Sequence, residues 1–385
     1  MIYLDNASTT PPDERVVEAM LPYLKENFGN AGSLHKLGIS NKRALDKAKE
    51  QAAKFINAKP DQIVFTSGGT ESNNMVLHNA LINSTINRKK IIVSSVEHDS
   101  ILRPSAFLAE EFGLDIPFVG VDEYGQADLD ALDSMIDEST VLVSVMMMNN
   151  EIGVMNDVRL IAEMCHNKGA LFHCDATQAA GCIPIDVKKI NCDFLTISGH
   201  KIHAPKGTGL LYVKDKKNFI PMILGGASQE FGLRGGTENV AGIVGFGKAC
   251  EIEKGLEGEQ GYITRLKLSF WNELNKQMRE IGLGNIIHDN AGSGISYGKV
   301  LSVRFDGVDA EALTLMLSSK DVYVSAGSAC KSHEQEPSRV LTSIGLTPVQ
   351  ARSTIRISFS RMNTAQECAE AAKVIAETVK QLHEM

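Results

Sequence analysis

The chain has 385 residues and a formal net charge of -8 at pH 7, and 43% of its residues are hydrophobic. A chain of this length usually exceeds one compact core, so two domains are expected. The acidic balance argues against direct nucleic-acid binding, which requires clustered Lys and Arg, but it leaves room for a local small-anion site.

The start of the chain lacks the pattern of a secretory signal, because Asp5 precedes any basic or apolar run. Apolar runs such as Val141–Met148 are far shorter than a membrane span. The seven cysteines form no CxxC pair, and their odd number is typical of a reducing compartment. We therefore expect a cytoplasmic protein without membrane contact. Inert, buried thiols are predicted at Cys165, Cys174, Cys182, Cys192, Cys250 and Cys368.

Short apolar runs alternate with longer amphipathic stretches through the first two-thirds of the chain. Helical spacing of apolar residues occurs in Ser100–Phe112 and Val158–Lys168. This alternation predicts an α/β fold, with a mostly parallel sheet covered by helices on both faces and ligands bound at the carboxyl ends of its strands. The predicted strands are Ile63–Thr66, Ile91–Ser95, Val141–Met146, Ala170–Cys174, Phe194–Ser198 and Gly209–Val213.

The pattern changes after about residue 255, where a polar stretch rich in Gly and Glu begins. The elements that follow indicate a smaller α/β domain. They are the helix Ile263–Ile281, the strand Val300–Phe305, the helix Ala310–Ser319, the strands Val322–Val324 and Thr354–Ser358, and the helix Ala365–His383.

A glycine-containing turn, Ser67–Glu71, follows the predicted strand Ile63–Thr66 and precedes a helix that begins near Thr70. Glycines let backbone N–H groups approach an anion, and a helix N-terminus stabilises its charge. An ordinary strand–turn–helix connection would have a similar sequence, so this turn alone leaves both interpretations open.

An aspartate and a lysine follow two successive predicted strands. Asp175 would pair there with a cation such as a pyridinium nitrogen, or cap the next helix. At Lys201, partial desolvation would lower the pKa of the amine, as Schiff-base formation requires. The two residues lie 26 positions apart, and together they indicate pyridoxal phosphate (PLP) more specifically than either alone.

His98 also follows a predicted strand, where its imidazole could stack on the cofactor ring and move protons near pH 7. A structural role is the more common one for an isolated histidine. His200 and His203 lie close together, but no carboxylate or cysteine completes a ligand set, so no metal site is predicted.

Cys330 differs from the other cysteines, because it lies in a run of small residues, Ser325–Ser332, without apolar periodicity. Such a run predicts a mobile surface loop rather than core. Lys331 and His333 would favour the thiolate, which is the attacking form of cysteine. Alone, Cys330 could equally be an idle exposed thiol; with a PLP site nearby, a nucleophile is favoured.

Taken in order, these motifs resemble a cysteine desulfurase of the NifS/IscS type, within the class-V aminotransferase group of fold-type I PLP enzymes. The resemblance covers nearly the whole chain. It implies a large PLP-binding domain from residues 13–255 and a small domain from 1–12 and 256–385 that carries the catalytic cysteine loop. The motifs are Tyr3–Asn6, Thr9–Pro11, Ser67–Asn74, Glu97–His98, Asn149–Gly153, Asp175–Gln178, Ser198–Lys201, Arg234–Asn239, Gly327–Cys330 and Ile355–Ser358.

The resemblance also implies roles for single residues. Lys201 would hold the cofactor as a Schiff base, Asp175 would bind its pyridine nitrogen, and His98 would stack on its ring. Asn150 and Gln178 would approach the 3'-oxygen, and Arg356 would bind the substrate carboxylate, with Asn150 also near the substrate. The phosphate would be held by Gly69, Thr70, Ser198 and His200, and by Thr237 of the partner subunit in a homodimer.

The implied reaction takes sulfur from L-cysteine. Lys201 removes the α-proton, Cys330 attacks the substrate sulfur and becomes a persulfide, and His98 helps to protonate the alanine that leaves. The sulfur then passes to an acceptor or scaffold protein. Iron–sulfur cluster assembly, tRNA thiolation and DNA phosphorothioation all use this enzyme type, so the sequence leaves the receiving pathway open.

Three alternatives remain: a PLP aminotransferase, a lyase acting on selenocysteine or a cysteine sulfoxide, and a non-catalytic sulfur-relay protein. Loss of Cys330 would leave a transaminase unharmed. A few positions depart from the family pattern: Cys174, His203, Ala204, Ser360 and the polar stretch 331–335.

Overall fold

The computed structural model describes residues 1–226, 229–256, 261–291, 298–327 and 337–384. The strands in these ranges are β1 (Ile2–Tyr3), β2 (Ile63–Thr66), β3 (Lys90–Ser94), β4 (Phe118–Val119), β5 (Thr140–Ser144), β6 (Leu171–Asp175), β7 (Phe194–Ser198), β8 (Gly209–Val213), β9 (Ile287–Asp289), β10 (Val300–Phe305), β11 (Val322–Tyr323) and β12 (Thr354–Ser358).

The helices are α1 (Glu14–Lys25), α2 (Lys36–Phe55), α3 (Gly69–Ile82), α4 (Asp99–Phe112), α5 (Leu129–Met135), α6 (Val158–Asn167), α7 (Val187–Ile190), α8 (Val240–Gly255), α9 (Gly261–Glu280), α10 (Ala310–Ser319), α11 (Arg339–Ser343), α12 (Pro348–Arg352) and α13 (Ala365–His383). Among the described residues, each helix is too short or too polar to span a lipid bilayer.

The largest sheet has seven strands in the order β2-β8-β7-β6-β5-β3-β4. The predicted mostly parallel sheet is confirmed, with β8 alone running antiparallel to both neighbours. The connection from β7 to β8 covers only residues 199–208. A parallel crossover needs a dozen or more residues, so β8 returns in the opposite direction.

Alternate residues of these strands pack into different cores, as a sheet with two covered faces requires. Ile63 and Phe65 lie in the core formed with α2, α6 and α8, whereas Val64 lies in the core formed with α3 and α4. Helices therefore cover both faces of the sheet. Polar side chains that could bind a ligand lie at its edges, beyond the ends of the strands.

A separate core contains Ile2 and Leu4 together with apolar residues of α9, α10, α13, β10 and β12. Here β1 pairs in parallel with β11, and β12-β10-β9 form a three-stranded sheet. The first residues of the chain thus pack with its last third. We propose that the chain divides as expected from the sequence, at residues 12/13 and 255/256.

The six cysteines predicted to be buried, inert thiols are all buried, which confirms the prediction of their burial. Burial raises the pKa of the Cys165 and Cys368 thiols to about 12. A thiol in such surroundings supplies little nucleophilic thiolate at neutral pH. Cys330 lies outside the described residues.

If the proposed division holds, Leu4→Ala should weaken the small domain selectively. Leu4 is fully buried, and truncation of a buried leucine costs about 2–5 kcal/mol. Hydrogen exchange should show greater loss of protection in β10 and β12 than in β5 and β6. Leu24→Ala, at an exposed position on α1, is the control. Equal loss in both sets of strands would contradict the division.

Candidate active site

A cavity of about 250 Å³ opens at the carboxyl edge of the seven-stranded sheet. Its walls come from the segments that follow β2, β3, β5, β6 and β7, closed by the start of the chain and by β12. The lining residues are Ala7, Ser8, Gly69, Thr70, Asn73, His98, Ser100, Met146, Met148, Asn150, Asp175, Thr177, Gln178, Ser198, His200, Lys201 and Arg356.

The turn after β2 brings the N-terminus of α3 to this cavity. A Cβ atom on Gly209 would lie 2.7 Å from the Gly68 Cα atom, so glycine there lets the turn pass over β8. A Cβ atom on Gly69 would lie 3.3 Å from the Thr177 hydroxyl and 3.5 Å from the Ser198 Cβ atom. The helix N-terminus, Thr177 and Ser198 therefore surround one small space suited to an anion.

Asp175 ends β6 and lies in a polar network. Its carboxylate accepts the Thr177 N–H at 2.9 Å and the Asn73 side-chain amide at 2.8 Å. The same Asn73 nitrogen donates to the Ser100 hydroxyl at 2.8 Å, and that hydroxyl lies 2.8 Å from His98 Nδ1. Hydrogen bonds thus connect Asp175 to His98 across the floor of the cavity.

His98 also caps helix α4, because its Nδ1 atom accepts the Ser100 backbone N–H at 3.1 Å. An Nδ1 atom that accepts this bond carries no proton, so the neutral ring bears its proton on Nε2. The structural role expected for a lone histidine and a place in the cavity therefore coexist in His98.

Lys201 lies just after β7, in a short 3-10 turn. Its ammonium group donates to the backbone carbonyls of Ala7 and Ser8. The Gln178 side chain donates to the same Ala7 carbonyl at 3.0 Å. The start of the chain is therefore part of the site wall, and it holds the lysine at the cavity.

Arg356 projects from β12 and is 3% exposed. Its Nη1 atom donates to the Asn150 carbonyl at 3.0 Å, and its Nη2 atom donates to Asp5 at 2.9 Å and to the Ser8 hydroxyl. Its Nε atom is buried without a hydrogen-bond partner among the described residues. The guanidinium plane is held from two sides, which prepares it for a planar anion.

Two further titratable groups lie beside the cavity. Burial raises the pKa of Glu97 well above its usual range, and the neighbouring charge of Asp175 raises it further. Burial, followed by the charge of Lys201, lowers the pKa of His200 to about 3. Burial therefore opposes the charged form of both groups, and His200 is uncharged at neutral pH.

Comparison with known proteins places the chain in a family. Residues 2–370 match the model of the family described as aminotransferase class-V. The chain belongs to this family. It is 40% identical to a cysteine desulfurase IscS of Methanosarcina thermophila, and the match covers 100% of this chain and 93% of that relative.

Similar solved structures extend the comparison to the fold. A NifS-like protein has a TM-score of 0.90 and 33% identity, covering 99% of this chain and 100% of that one. SspA in complex with cysteine has a TM-score of 0.81 and 30% identity, covering 94% of this chain and 100% of that one. The predicted resemblance to cysteine desulfurases and the predicted fold are confirmed.

In this class-V chain the structure gathers most of the predicted site residues around one cavity. Thr237 is exposed and does not line the cavity, and Cys330 lies outside the described residues. Among the described residues, no three His, Cys, Asp or Glu side chains are grouped as metal ligands would be.

The sequence-based prediction missed several residues of this class-V site. Asn73 and Thr177 lie inside motifs that were recognised, but their side chains had no assigned partner. Ala7 contributes a main-chain carbonyl, which no sequence pattern reveals. Asp5 belongs to the motif Tyr3–Asn6, whereas Ser8 lies between the two motifs at the start of the chain, and only the position of β12 brings both to Arg356.

The raised pKa of Glu97 leads to a pH-dependent prediction. In the unfolded chain the carboxyl loses its proton near its ordinary pKa of 4.5, so the buried group reduces stability increasingly as pH rises from there. Glu97→Gln removes this penalty and should raise the melting temperature relative to the unmodified protein more at pH 8 than near pH 4.5, in a series of thermal melts.

Glu71→Gln is the matched control, because the pKa of Glu71 is lowered through hydrogen bonds to Arg234 and Ser67 despite its desolvation by burial. Its stabilising contribution is present above the usual carboxyl pKa and lost at lower pH. This variant should therefore be more destabilised at pH 8 than near pH 4.5. A melting-temperature difference for Glu97→Gln that does not change with pH would contradict a raised pKa of Glu97.

Proposed function

We propose that the chain is a PLP-dependent cysteine desulfurase that transfers the sulfur of L-cysteine to Cys330 and releases L-alanine. The observation that carries the proposal is the convergence of Lys201, Asp175 and Arg356 on one cavity, in a chain of the class-V family. These residues supply an amine, an anion and a fixed guanidinium, the three groups needed to bind a cofactor and an amino acid together.

The residues present are suited to PLP. Within the described ranges, the cavity contains buried polar atoms that lack a hydrogen-bond partner: Thr177 Oγ1, Gln178 Oε1 and Arg356 Nε. Such orphaned groups are costly unless a ligand satisfies them. PLP is an aromatic ring with a phosphate, a phenolic oxygen and a cationic nitrogen, and these groups would supply hydrogen-bond partners and opposite charges for the residues that line the cavity.

Lys201 would hold the cofactor covalently, and Asp175 would accept the proton-bearing ring nitrogen. Asn150 and Gln178 would approach the 3'-oxygen, with His98 against the ring. The phosphate would be held by Gly69, Thr70, Ser198 and His200, and by Thr237 of the partner subunit. When bound, the cofactor would act as an electron sink for negative charge at the substrate α-carbon.

The network around Asp175 gives the carboxylate a fixed direction. Asn73 and Thr177 both donate to it, so it cannot rotate without losing two hydrogen bonds. A carboxylate held in this way is preorganised for a cationic ring nitrogen, and no reorganisation is required during the reaction.

Lys201 would also move the α-proton. The carbonyls of Ala7 and Ser8 accept hydrogen bonds from its ammonium form, so they offer a place for the protonated amine after it has left the cofactor. His98 lies beside the cavity, where its imidazole would take up a proton and then pass it toward the product carbon.

Arg356 would bind the substrate carboxylate through the N–H groups that do not already donate to Asp5 and Asn150. A carboxylate anchored there has a defined position relative to Lys201, which would leave the α-proton within reach of the amine. The thiol of the substrate would then be presented to Cys330, whose thiolate would take the sulfur as a persulfide while the carbon–sulfur bond breaks.

The working protein is proposed to be a cytoplasmic homodimer that passes the persulfide sulfur to an acceptor or scaffold protein. Support for the homodimer is the exposure of Thr237 away from the cavity of its own subunit. Support for sulfur transfer is the similarity to relatives named cysteine desulfurase IscS.

The function is tested by mixing purified protein with L-cysteine and a reductant, and measuring sulfide and alanine. The unmodified protein should give equal amounts of both, and Lys201→Ala and Cys330→Ala should each lose at least about a thousandfold in rate, because a covalent participant is removed. Lys206→Ala, exposed on the same loop, and Cys368→Ala, in α13, are the matched controls.

Full sulfide release by Cys330→Ala would replace the persulfide mechanism with a simple PLP lyase. Formation of 3-mercaptopyruvate in place of alanine and sulfide, surviving loss of Cys330, would point to an aminotransferase. Activity that persists in Lys201→Ala would overturn the assignment of the cavity itself.

Arg356→Lys tests the carboxylate site. Lysine keeps the charge but lacks the planar fork, so kcat/KM for L-cysteine should fall roughly 10- to 100-fold, mostly through KM. L-Cysteine methyl ester, which has no carboxylate, should be converted equally by both proteins. Arg159→Lys, on the exposed face of α6, controls for a general effect. An equal loss with both substrates would contradict carboxylate binding by Arg356.

A further inference from the structure

A second, much smaller cavity of about 20 Å³ also adjoins Lys201. Among the described residues, Lys201 is the one that lines both this cavity and the larger one. The walls of the small cavity include three charged side chains without an assigned role: Glu253, Lys299 and Arg361. These side chains therefore reach the turn of Lys201 without lining the larger cavity.

Arg361 joins the two cores through a pair of ionic contacts. It follows β12 of the smaller core, and its Nε atom donates to Glu253 at 2.8 Å while its Nη2 atom donates to Asp13 at 2.8 Å. Glu253 lies near the end of α8, and Asp13 caps the start of α1; both helices pack in the large core. One guanidinium therefore fixes the segment after β12 to two helices of the large core.

The two carboxylates depend on Arg361 to different degrees. Both are buried, but Asp13 also accepts from Arg15 at 2.8 Å, whereas in the described part of the chain Arg361 is the one ion-pair partner of Glu253. Burial raises the pKa of Glu253, and the hydrogen bond from Arg361 opposes that shift. Because a buried carboxylate without a cation is costly, the arrangement in which Arg361 reaches both carboxylates is strongly favoured.

The segment that contains Asp13 also holds the turn of the catalytic lysine. The Asp13 N–H donates to the His203 carbonyl at 3.0 Å. His203 has a left-handed φ of 61°, which a non-glycine residue keeps only where surrounding contacts hold it. Those contacts are the Thr10 hydroxyl, which accepts the His203 N–H at 2.9 Å, and the Pro11 carbonyl, which accepts the ring N–H at 2.9 Å. The turn is thus fixed by the segment whose carboxylate pairs with the guanidinium.

Lys299 forms a second connection between β12 and this turn. It is buried just before β10, and its Nζ atom donates to the Lys201 carbonyl at 3.4 Å. The carbonyl of Lys299 accepts the Phe359 N–H at 2.9 Å, beside the end of the antiparallel β10–β12 pair. The turn of Lys201 therefore contacts the same pair of strands from which Arg356 reaches the larger cavity.

We propose that Arg361 is a positioning residue that sets the separation between Lys201 and Arg356. Arg356 and Arg361 lie on one short segment, one at the larger cavity and the other fixed to the large core. A substrate held by its carboxylate must present its α-carbon to the amine, so a shift of β12 relative to the turn would misplace the reacting atoms. This inference rests on the proposed function, because it requires an amino acid bound between Arg356 and Lys201.

Arg361→Gln tests the positioning role with two substrates. The kcat/KM for L-cysteine should fall roughly 10- to 100-fold, because a small misplacement of reacting groups is sufficient for such a loss. L-Cysteine methyl ester lacks the carboxylate that Arg356 would bind, so its kcat/KM should change less than about twofold. A smaller folded fraction would lower both values equally. Arg159→Gln, which removes an exposed arginine paired with Glu163 at 3.9 Å, is the matched control and should change neither.

Binding of the product amino acid gives a readout independent of turnover. In calorimetric titrations, L-alanine should bind roughly tenfold more weakly to Arg361→Gln than to the unmodified protein. L-Alaninamide, which lacks the carboxylate, should bind equally to both. Lys299→Met keeps an apolar stem but removes the N–H donors, so it should show the same selective loss and provides the test if Arg361→Gln fails to fold.

A double variant decides whether Arg361 acts through Arg356. In Arg356→Lys the carboxylate contact is already impaired, so adding Arg361→Gln should cost much less than it does in the unmodified protein. Losses that multiply would overturn the inference, because the two residues would then act independently. Equal losses with L-cysteine and its methyl ester, or an unchanged kcat/KM for L-cysteine, would overturn it as well. Absence of sulfide from the unmodified protein would instead overturn the reaction on which the inference rests.

Discussion

The parallel arrangement of β5, β6 and β7 forces their carboxyl ends onto one edge of the sheet, where the chain leaves the hydrogen-bonded ladder. Both faces of this sheet are covered by helices, so polar side chains find partners chiefly at that edge. Asp175 and Lys201 follow adjacent strands and are therefore close in space, although 26 residues separate them. The other side chains of the site lie around the carboxyl ends of these strands.

The first ten residues close the cavity that the strand ends leave open. Their carbonyls accept from Lys201, and the Asp5 carboxylate accepts from Arg356. They reach this place because β1 pairs with β11 and because Leu4 is buried in the smaller core. The beginning of the chain thus joins the two cores at the cavity, because the segment that buries Leu4 in the smaller core also places the Ala7 and Ser8 carbonyls beside Lys201.

The titratable groups near the cavity fall into two kinds: those whose charge is stabilised by hydrogen bonds, and one whose charged form is opposed by burial. Arg356, Lys201 and Asp175 are buried or half-buried, but each has hydrogen-bond partners that fix its direction while leaving one side toward the cavity. Burial and the neighbouring charge of Asp175 both oppose the charged form of Glu97. Among the described residues that line the cavity, Asp175 is the one carboxylate.

The sequence by itself determined the strands and helices around the site, the identity of the edge at which ligands bind, and the residues Asp175 and Lys201. These follow from local periodicity and from residue types that are costly to place at the end of a buried strand. Only the tertiary structure decided that Asn73 connects Asp175 to Ser100, that main-chain carbonyls receive Lys201, and that Glu71 holds Arg234. Such contacts join segments up to about 200 residues apart and involve atoms common to every residue, such as backbone carbonyls, or side chains whose partner depends on packing. Local patterns in the sequence do not show which distant segments come into contact, because those contacts are set by how the two cores assemble.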